Sequence, residues 1–222
     1  MRSFDEILAI AIDRKGDLEA VMSSVPTPLS ADALAAIPDD LWLAQMARGI
    51  MQAGISWKVV DNKWPGILEA FHNFDIGTMR FQPEDWYYDL CEDTRIIRSP
   101  PKIRAILENA DFIQQTSDTH GSFGRRIGDW PSDDFVGLLR WLQSEGSRLG
   151  GATGSYMLRQ MGKDSFNLSN DVVGRLIAEG VIDKEPTSKK AMTAVQEAFN
   201  LWRSQSGQTL TAISRVLAQS VG

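Results

Sequence analysis

An all-α fold is predicted by three features of the chain. Apolar residues recur at helical spacing along nearly its whole length. Proline, serine, threonine or aspartate stands where those runs begin. No run of alternating β-branched residues reads as a strand. Taken in order, Asp39 or Asp40 after Pro38 is placed to cap a helix carrying Leu41, Ala44, Gln45 and Met46, which ends near Gly54. Val59 to Phe74 reads as the next, with Trp64, Ile67, Leu68 and Phe71 on one face. Pro83 opens a short helix containing Trp86, Tyr87 and Leu90. Pro101 starts another, with Ile103, Ile106, Leu107 and Ala110. Pro131 precedes a helix from Asp133 to Ser144. Short helices follow over Ser155 to Met161 and Val172 to Glu179. Thr187 or Ser188 caps a long one with Ala191, Val195, Phe199 and Trp202 inward, and Leu210 to Leu217 closes the chain. Residues 24–38, rich in proline, serine and alanine, read as a linker.

The composition narrows the class. The chain has 222 residues, 43% of them hydrophobic, so a sizeable core forms without staples. Its one cysteine, Cys91, has no partner for an intrachain disulfide, which fits a reducing, cytoplasmic home. The charged N-terminus holds no signal-like apolar run, and no segment is expected to span a membrane. A net charge of -6 argues against binding nucleic acid by bulk charge alone. Basic residues do bunch, at Arg95, Arg98, Lys102 and Arg104 and again at Arg148, Arg159 and Lys163, as solvated faces also do. Trp42, Trp86, Tyr87 and Tyr88 lie at helical spacing and read first as core. Cys91 reads as inert core, and His72 and His120 as surface residues without metal-ligand spacing.

Two segments carry chemistry. The first, Gln52-Ala53-Gly54-Ile55-Ser56-Trp57, is a sharp bend with a glutamine, a serine and an indole. The second runs Gly146-Ser147-Arg148-Leu149-Gly150-Gly151-Ala152-Thr153-Gly154-Ser155-Tyr156, then Leu168-Ser169-Asn170-Asp171-Val172-Val173. A helix leading into a glycine-rich turn and then a short helix lets backbone approach a ligand closely and presents N–H groups to an anion. Such a hairpin holds a DNA phosphate without many lysines. Asp171, at the start of the next helix, can stabilise positive charge developing on a sugar.

With these residues the chain resembles the 3-methyladenine DNA glycosylase I family of the helix–hairpin–helix superfamily. That family's Gln-Ala-Gly-Leu-Ser-Trp block is matched by residues 52–57, with Ile55 for leucine. Its Phe-Asp element is matched by Phe74-Asp75, and its next block by Ile96-Ile97-Arg98, Lys102-Ile103 and Asn109-Ala110. Its hairpin pattern is matched by Gly151, Thr153 and Tyr156, and its Asn-Asp-x-Val-Val block, one residue shorter, by Asn170 to Val173.

The resemblance implies a two-lobed helical DNA glycosylase fold in a single domain over residues 1–222. Residues 1–38 would be an N-terminal extension and the hairpin would lie at about 135–161. It implies a monofunctional glycosylase that flips an alkylated purine, such as 3-methyladenine, out of damaged DNA and hydrolyses its N-glycosidic bond. Trp57 would stack on the base, with Gln52 and Ser56 beside it. Asp171 would be the catalytic carboxylate. Gly150, Gly151, Thr153, Gly154 and Lys102 would contact the DNA backbone. The resemblance implies a monomer, and neither a cofactor nor a membrane is expected. The family's zinc histidine after Asp171 is missing, so no zinc is expected. Ser155 stands where bifunctional relatives carry a lyase lysine, so no Schiff-base step is expected. Gly49 stands where the family has a base-reading glutamate. That residue favours a second reading, a noncatalytic DNA-damage-binding module of the same fold.

Overall fold

The computed structural model describes residues 1–23 and 25–221 and contains no strand among them. Among the described residues fourteen α-helices follow one another: α1 (Phe4–Lys15), α2 (Leu18–Met22), α3 (Ala31–Ala35), α4 (Asp39–Gln52), α5 (Trp57–Ala70), α6 (Ile76–Arg80), α7 (Asp85–Glu92), α8 (Pro100–His120), α9 (Phe123–Asp129), α10 (Phe135–Glu145), α11 (Ala152–Gln160), α12 (Asn170–Ala178), α13 (Lys189–Ser206) and α14 (Leu210–Gln219). The all-α prediction holds. No helix among the described residues is long and apolar enough to cross a membrane.

The chain divides into two compact units. The first holds Met1–Leu29, Trp130–Gly137 and Leu158–Gly222; the second holds Ser30–Asp129 and Leu138–Met157. The division therefore cuts α10 after Gly137 and α11 after Met157.

In the first unit, α14 packs against α1, α2, α12 and α13. Its core is a run of rings: Phe135 meets Phe166 edge-on at 4.9 Å, Phe166 stacks on Phe199 at 4.2 Å, and Phe199 meets Trp202 edge-on. Ser188 caps α13 and Thr209 caps α14, each by accepting from the backbone N–H of the third residue of its helix. Glu179 is buried just past α12 and accepts from the Arg2 backbone and guanidinium at 2.8 and 2.9 Å and from Arg175 at 3.2 Å. Arg175 also donates to the side chain and carbonyl of Ser220, so one ion cluster ties both ends of the chain to α12.

In the second unit, α8 packs on α4, α6, α7 and α9. Phe112, Phe123 and Trp141 cluster within 5.0 to 5.8 Å, with the fully buried Trp42 edge-on to Phe123. Asp39 does not cap its own helix. It accepts from the Phe123 backbone at 3.0 Å and from the Ser117 hydroxyl, and so ties the start of α4 to α8 and α9. The helix expected over Val59 to Phe74 starts earlier, at Trp57, and stops at Ala70. His72, Asn73 and Phe74 then take positive φ values, a tight turn that puts the rings of Phe71 and Phe74 in parallel contact at 5.4 Å.

The proline- and serine-rich stretch is more than a linker. Ser24 lies outside the described residues, but Ala31–Ala35 form α3, capped by Ser30 and packed on α9. The approach is close enough that a side chain at Gly124 would overlap the Leu34 carbonyl, and one at Gly128 would come within 2.6 Å of the Ala31 carbonyl.

Candidate base-binding and DNA-backbone site

The bend at residues 52–57 is made by a helix that stops and another that starts at once. α4 ends at Gln52, Gly54 takes φ +71, and the Ile55 backbone closes the turn onto the Gln52 carbonyl at 3.1 Å. A helix C-terminus leaves carbonyls without intrahelical partners. Two of them are taken by one side chain: the Lys102 ammonium donates to Met51 at 2.9 Å and to Ala53 at 2.7 Å. Lys102 is buried, so the expected phosphate contact is corrected: its charge is spent on the end of α4. Burial pushes its ammonium below the ordinary 10.5, and the neighbouring charge of Arg148 lowers it further. Behind the bend Arg48 lies over the Trp64 ring at 4.3 Å and pairs with Asp61 at 3.4 Å, which holds α4 against α5.

Held in this way, the bend presents side chains outward. Gln52 is half-buried and Ser56 is exposed at the N-cap of α5, making no capping bond. Trp57, the first residue of α5, is 58% exposed. An indole normally contributes a large buried area, so one left this open is informative.

The turn between α10 and α11, expected to be the hairpin, lies in the same unit. After α10 the Asn109 side chain, wholly buried, clamps Ser147 from both sides: its Nδ2 donates to the Ser147 carbonyl at 2.9 Å, and its Oδ1 accepts from the Ser147 backbone at 2.8 Å. Arg148 follows in the left-handed region at φ +58 and is exposed, Leu149 is buried, and Gly151 takes φ +60 before α11 begins. Gly150 is half-buried, Gly151 exposed and Thr153 half-buried. Gly154 is buried, and a Cβ there would strike the Leu149 carbonyl, so this glycine serves packing and not a surface contact. A Cβ added at Gly49 would lie 3.2 Å from the γ-methyl of Thr153. The first turn of α11 therefore meets α4 at Gly49, one turn before Gln52.

Asp171 belongs to the first unit. It is exposed in the first turn of α12. The N-cap is Ser169, whose hydroxyl accepts from Val172 at 3.4 Å, so the aspartate is released from that structural duty. The basic bunches prove largely engaged. Arg95 pairs with Asp93 and Glu69, Arg104 stacks over Tyr87 at 4.7 Å, Arg159 donates to Ser165, and Lys163 donates to the Trp130 carbonyl at 2.6 Å. A cavity of about 340 Å³ in the second unit is lined by Met79, Arg80, Trp86, Tyr87, Leu107 and Asp111 among others, and by none of the expected site residues. Of the four aromatic residues first read as core, Trp42 is buried, Trp86 and Tyr87 are half-buried, and Tyr88 is exposed. Cys91 is half-buried, and His72 and His120 are exposed. Among the described residues no three His, Cys, Asp or Glu side chains gather as a metal ion would require, so the residues present do not fit a zinc site.

Sequence reasoning missed the clamp at Asn109 and the seat of Gly49. Asn109 could have been flagged as a polar residue on the apolar face of a helix, flanked by Ile106, Ala110 and Ile113.

The model of the methyladenine glycosylase family matches residues 39–134, a stretch that includes the whole bend, Lys102 and Asn109. That match bears out the family resemblance read from the motifs. Two solved structures are similar. One is a variant of 3-methyladenine DNA glycosylase I in complex with 3-methyladenine (TM-score 0.51, 20% identity, covering 66% of this chain and 87% of that chain). The other is 3-methyladenine DNA glycosylase I from Staphylococcus aureus (TM-score 0.51, 20% identity, covering 66% of this chain and 86% of that chain). Their likeness establishes the fold. None of the curated proteins compared with the chain matches it.

Proposed function

We propose that the protein is a monofunctional DNA glycosylase that excises alkylated purines such as 3-methyladenine. The observation that carries this reading is the indole of Trp57, left 58% exposed at the start of α5 beside Gln52, within the stretch that matches the methyladenine glycosylase family. An enzyme acting on a base must take it out of the stack and hold it on a flat apolar surface. A purine alkylated on a ring nitrogen is cationic, and an indole face attracts such a ring over its neutral counterpart. Trp57 stacks on the extruded base and Gln52 and Ser56 contact its edge. Gly150, Gly151 and Thr153 meet the backbone of damaged DNA, the partner. The base departs as a neutral molecule with the bonding electron pair. Water adds to the sugar and gives up a proton to solvent, and the Asp171 carboxylate stabilises the positive charge that develops on the sugar as the base leaves. The protein acts as a cytoplasmic monomer, without cofactor.

The test compares base release from methylated duplex by the wild type, Asp171→Asn and Trp57→Ala. Release that both substitutions abolish supports the reading; release untouched by either contradicts the assigned residues.

A second reading is favoured by one position. At Gly49, where the family's base-reading glutamate would stand, Thr153 closes in to 3.2 Å from the place of a Cβ. A noncatalytic damage-binding module would hold methylated DNA, release no base, and bind equally well as Asp171→Asn.

A further inference from the structure

We propose that α8 fixes the spacing between the base-contacting bend and the backbone-contacting turn of the hairpin through two positioning residues, Lys102 and Asn109. The inference deepens the glycosylase reading and rests on it. Both residues lie on α8, seven positions apart, which is about two turns and therefore one face, roughly 10 Å along the axis. Both are buried. Each grips backbone at a helix end or just past one: Lys102 at the last turn and C-cap of α4, Asn109 in the loop after α10. Lys102 holds the carbonyls of Met51 and Ala53, between which Gln52 sits. Asn109 holds the carbonyl and amide of Ser147, next to Arg148 and three residues before Gly150.

Each grip is applied where the chain departs from ordinary backbone geometry. Gly54 at φ +71 follows the first and Arg148 at φ +58 follows the second. An arginine in the left-handed region is disfavoured on its own, so neighbouring bonds must hold it there. The apolar anchoring of α8 comes from other residues, among them Ile103, Ile106 and Ile113, all buried. The two polar contacts are thus separable from the helix's packing. A base-excising site needs its stacking ring and its backbone contacts at one fixed separation, because the flipped nucleotide and its phosphates are covalently linked. Displacements near 1 Å can cost on the order of a hundredfold in rate.

The experiment uses the full chain and the variants Lys102→Met, Lys102→Arg, Asn109→Ala and Asn109→Ser. Three readouts are taken: the single-turnover rate of base release at saturating methylated duplex, affinity for undamaged duplex, and hydrogen exchange at residues 51–57 and 146–151. Lys102→Met is expected to lower the saturating rate at least tenfold, keep duplex affinity within threefold, and speed exchange in the first segment only. Lys102→Arg, which still offers donors to both carbonyls, recovers part of the rate. Asn109→Ala weakens duplex binding at least tenfold and speeds exchange in the second segment only, with the Ser variant between it and wild type. Equal exchange gains in both segments from either variant would overturn the proposal, as would losses of rate and affinity that merely follow melting temperature. If the wild type releases no base, the glycosylase reading fails; the exchange pattern still decides whether the two residues act separately.

Discussion

In its proposed role, Trp57 would carry function at little cost to folding. It is 58% exposed, so Trp57→Ala removes little packing, and the expected change in stability is within about 1 kcal/mol. Base release is expected to fall at least tenfold, as the proposed role of the ring as platform for an extruded purine requires. A thermal melt beside an excision assay checks both halves of that statement. The bend that exposes this residue was legible in the sequence because the Gln52–Trp57 block is local and its turn needs only Gly54. The fate of Lys102 was not legible. Its partners lie 51 and 49 residues away, and only the meeting of α8 with the end of α4 turns a basic side chain inward. Asp171 falls between the two cases. Its helix was foreseen, but the cap is Ser169, whose hydroxyl spares the aspartate that role.

Among the helices, α9 and α3 are joined by glycine. A methyl group at Gly124 would overlap backbone at Leu34, and backbone cannot step aside as a flexible side chain does. Gly124→Ala is therefore expected to destabilise the protein by about 1–3 kcal/mol, in spite of alanine's better helix propensity. Urea unfolding measures it, and an unchanged midpoint would show that the two helices can separate freely. This contact also explains why α3 escaped the sequence reading. Five residues make little more than one turn, too few to display a period, and Pro26, Pro28 and Pro38 on either side signal irregular chain. The long helices α8 and α13 showed several turns of apolar spacing and were placed correctly in kind. The ends of α5 were not, because the burial of Phe71 and Phe74 overrides the local preference for continuing the helix.

At the scale of the whole molecule, charge governs two outcomes. In the first unit, burial raises the Glu179 carboxyl pKa, but the bonds from Arg2 and Arg175 outweigh it, leaving it below the ordinary 4.5. A depressed carboxylate contributes stability that is present above the unfolded value and lost as pH falls through the folded one. Stability is thus expected to decline below about pH 4.5. Glu179→Ala, which strands Arg175, should cost on the order of 3 kcal/mol near neutrality and flatten that decline. Acid titration of the unfolding midpoint reads both effects. The second outcome concerns DNA. With a net charge of -6 and many of its cations already paired, the protein has few left for phosphates. The slope of log affinity against log salt should be shallow, about -3 or flatter, which corresponds to roughly three phosphate contacts. Anisotropy titrations across a salt series check it, and a slope near -8 would mean a basic surface that this account does not contain.

The most direct test of the central claim is chromatography of the products formed when the purified protein meets N-methylated duplex DNA. The account predicts free 3-methyladenine, abasic sites in equal number, and strands left uncut, since Ser155 offers no amine for a lyase step. Bound duplex with no base released would contradict it and establish the damage-binding module in its place.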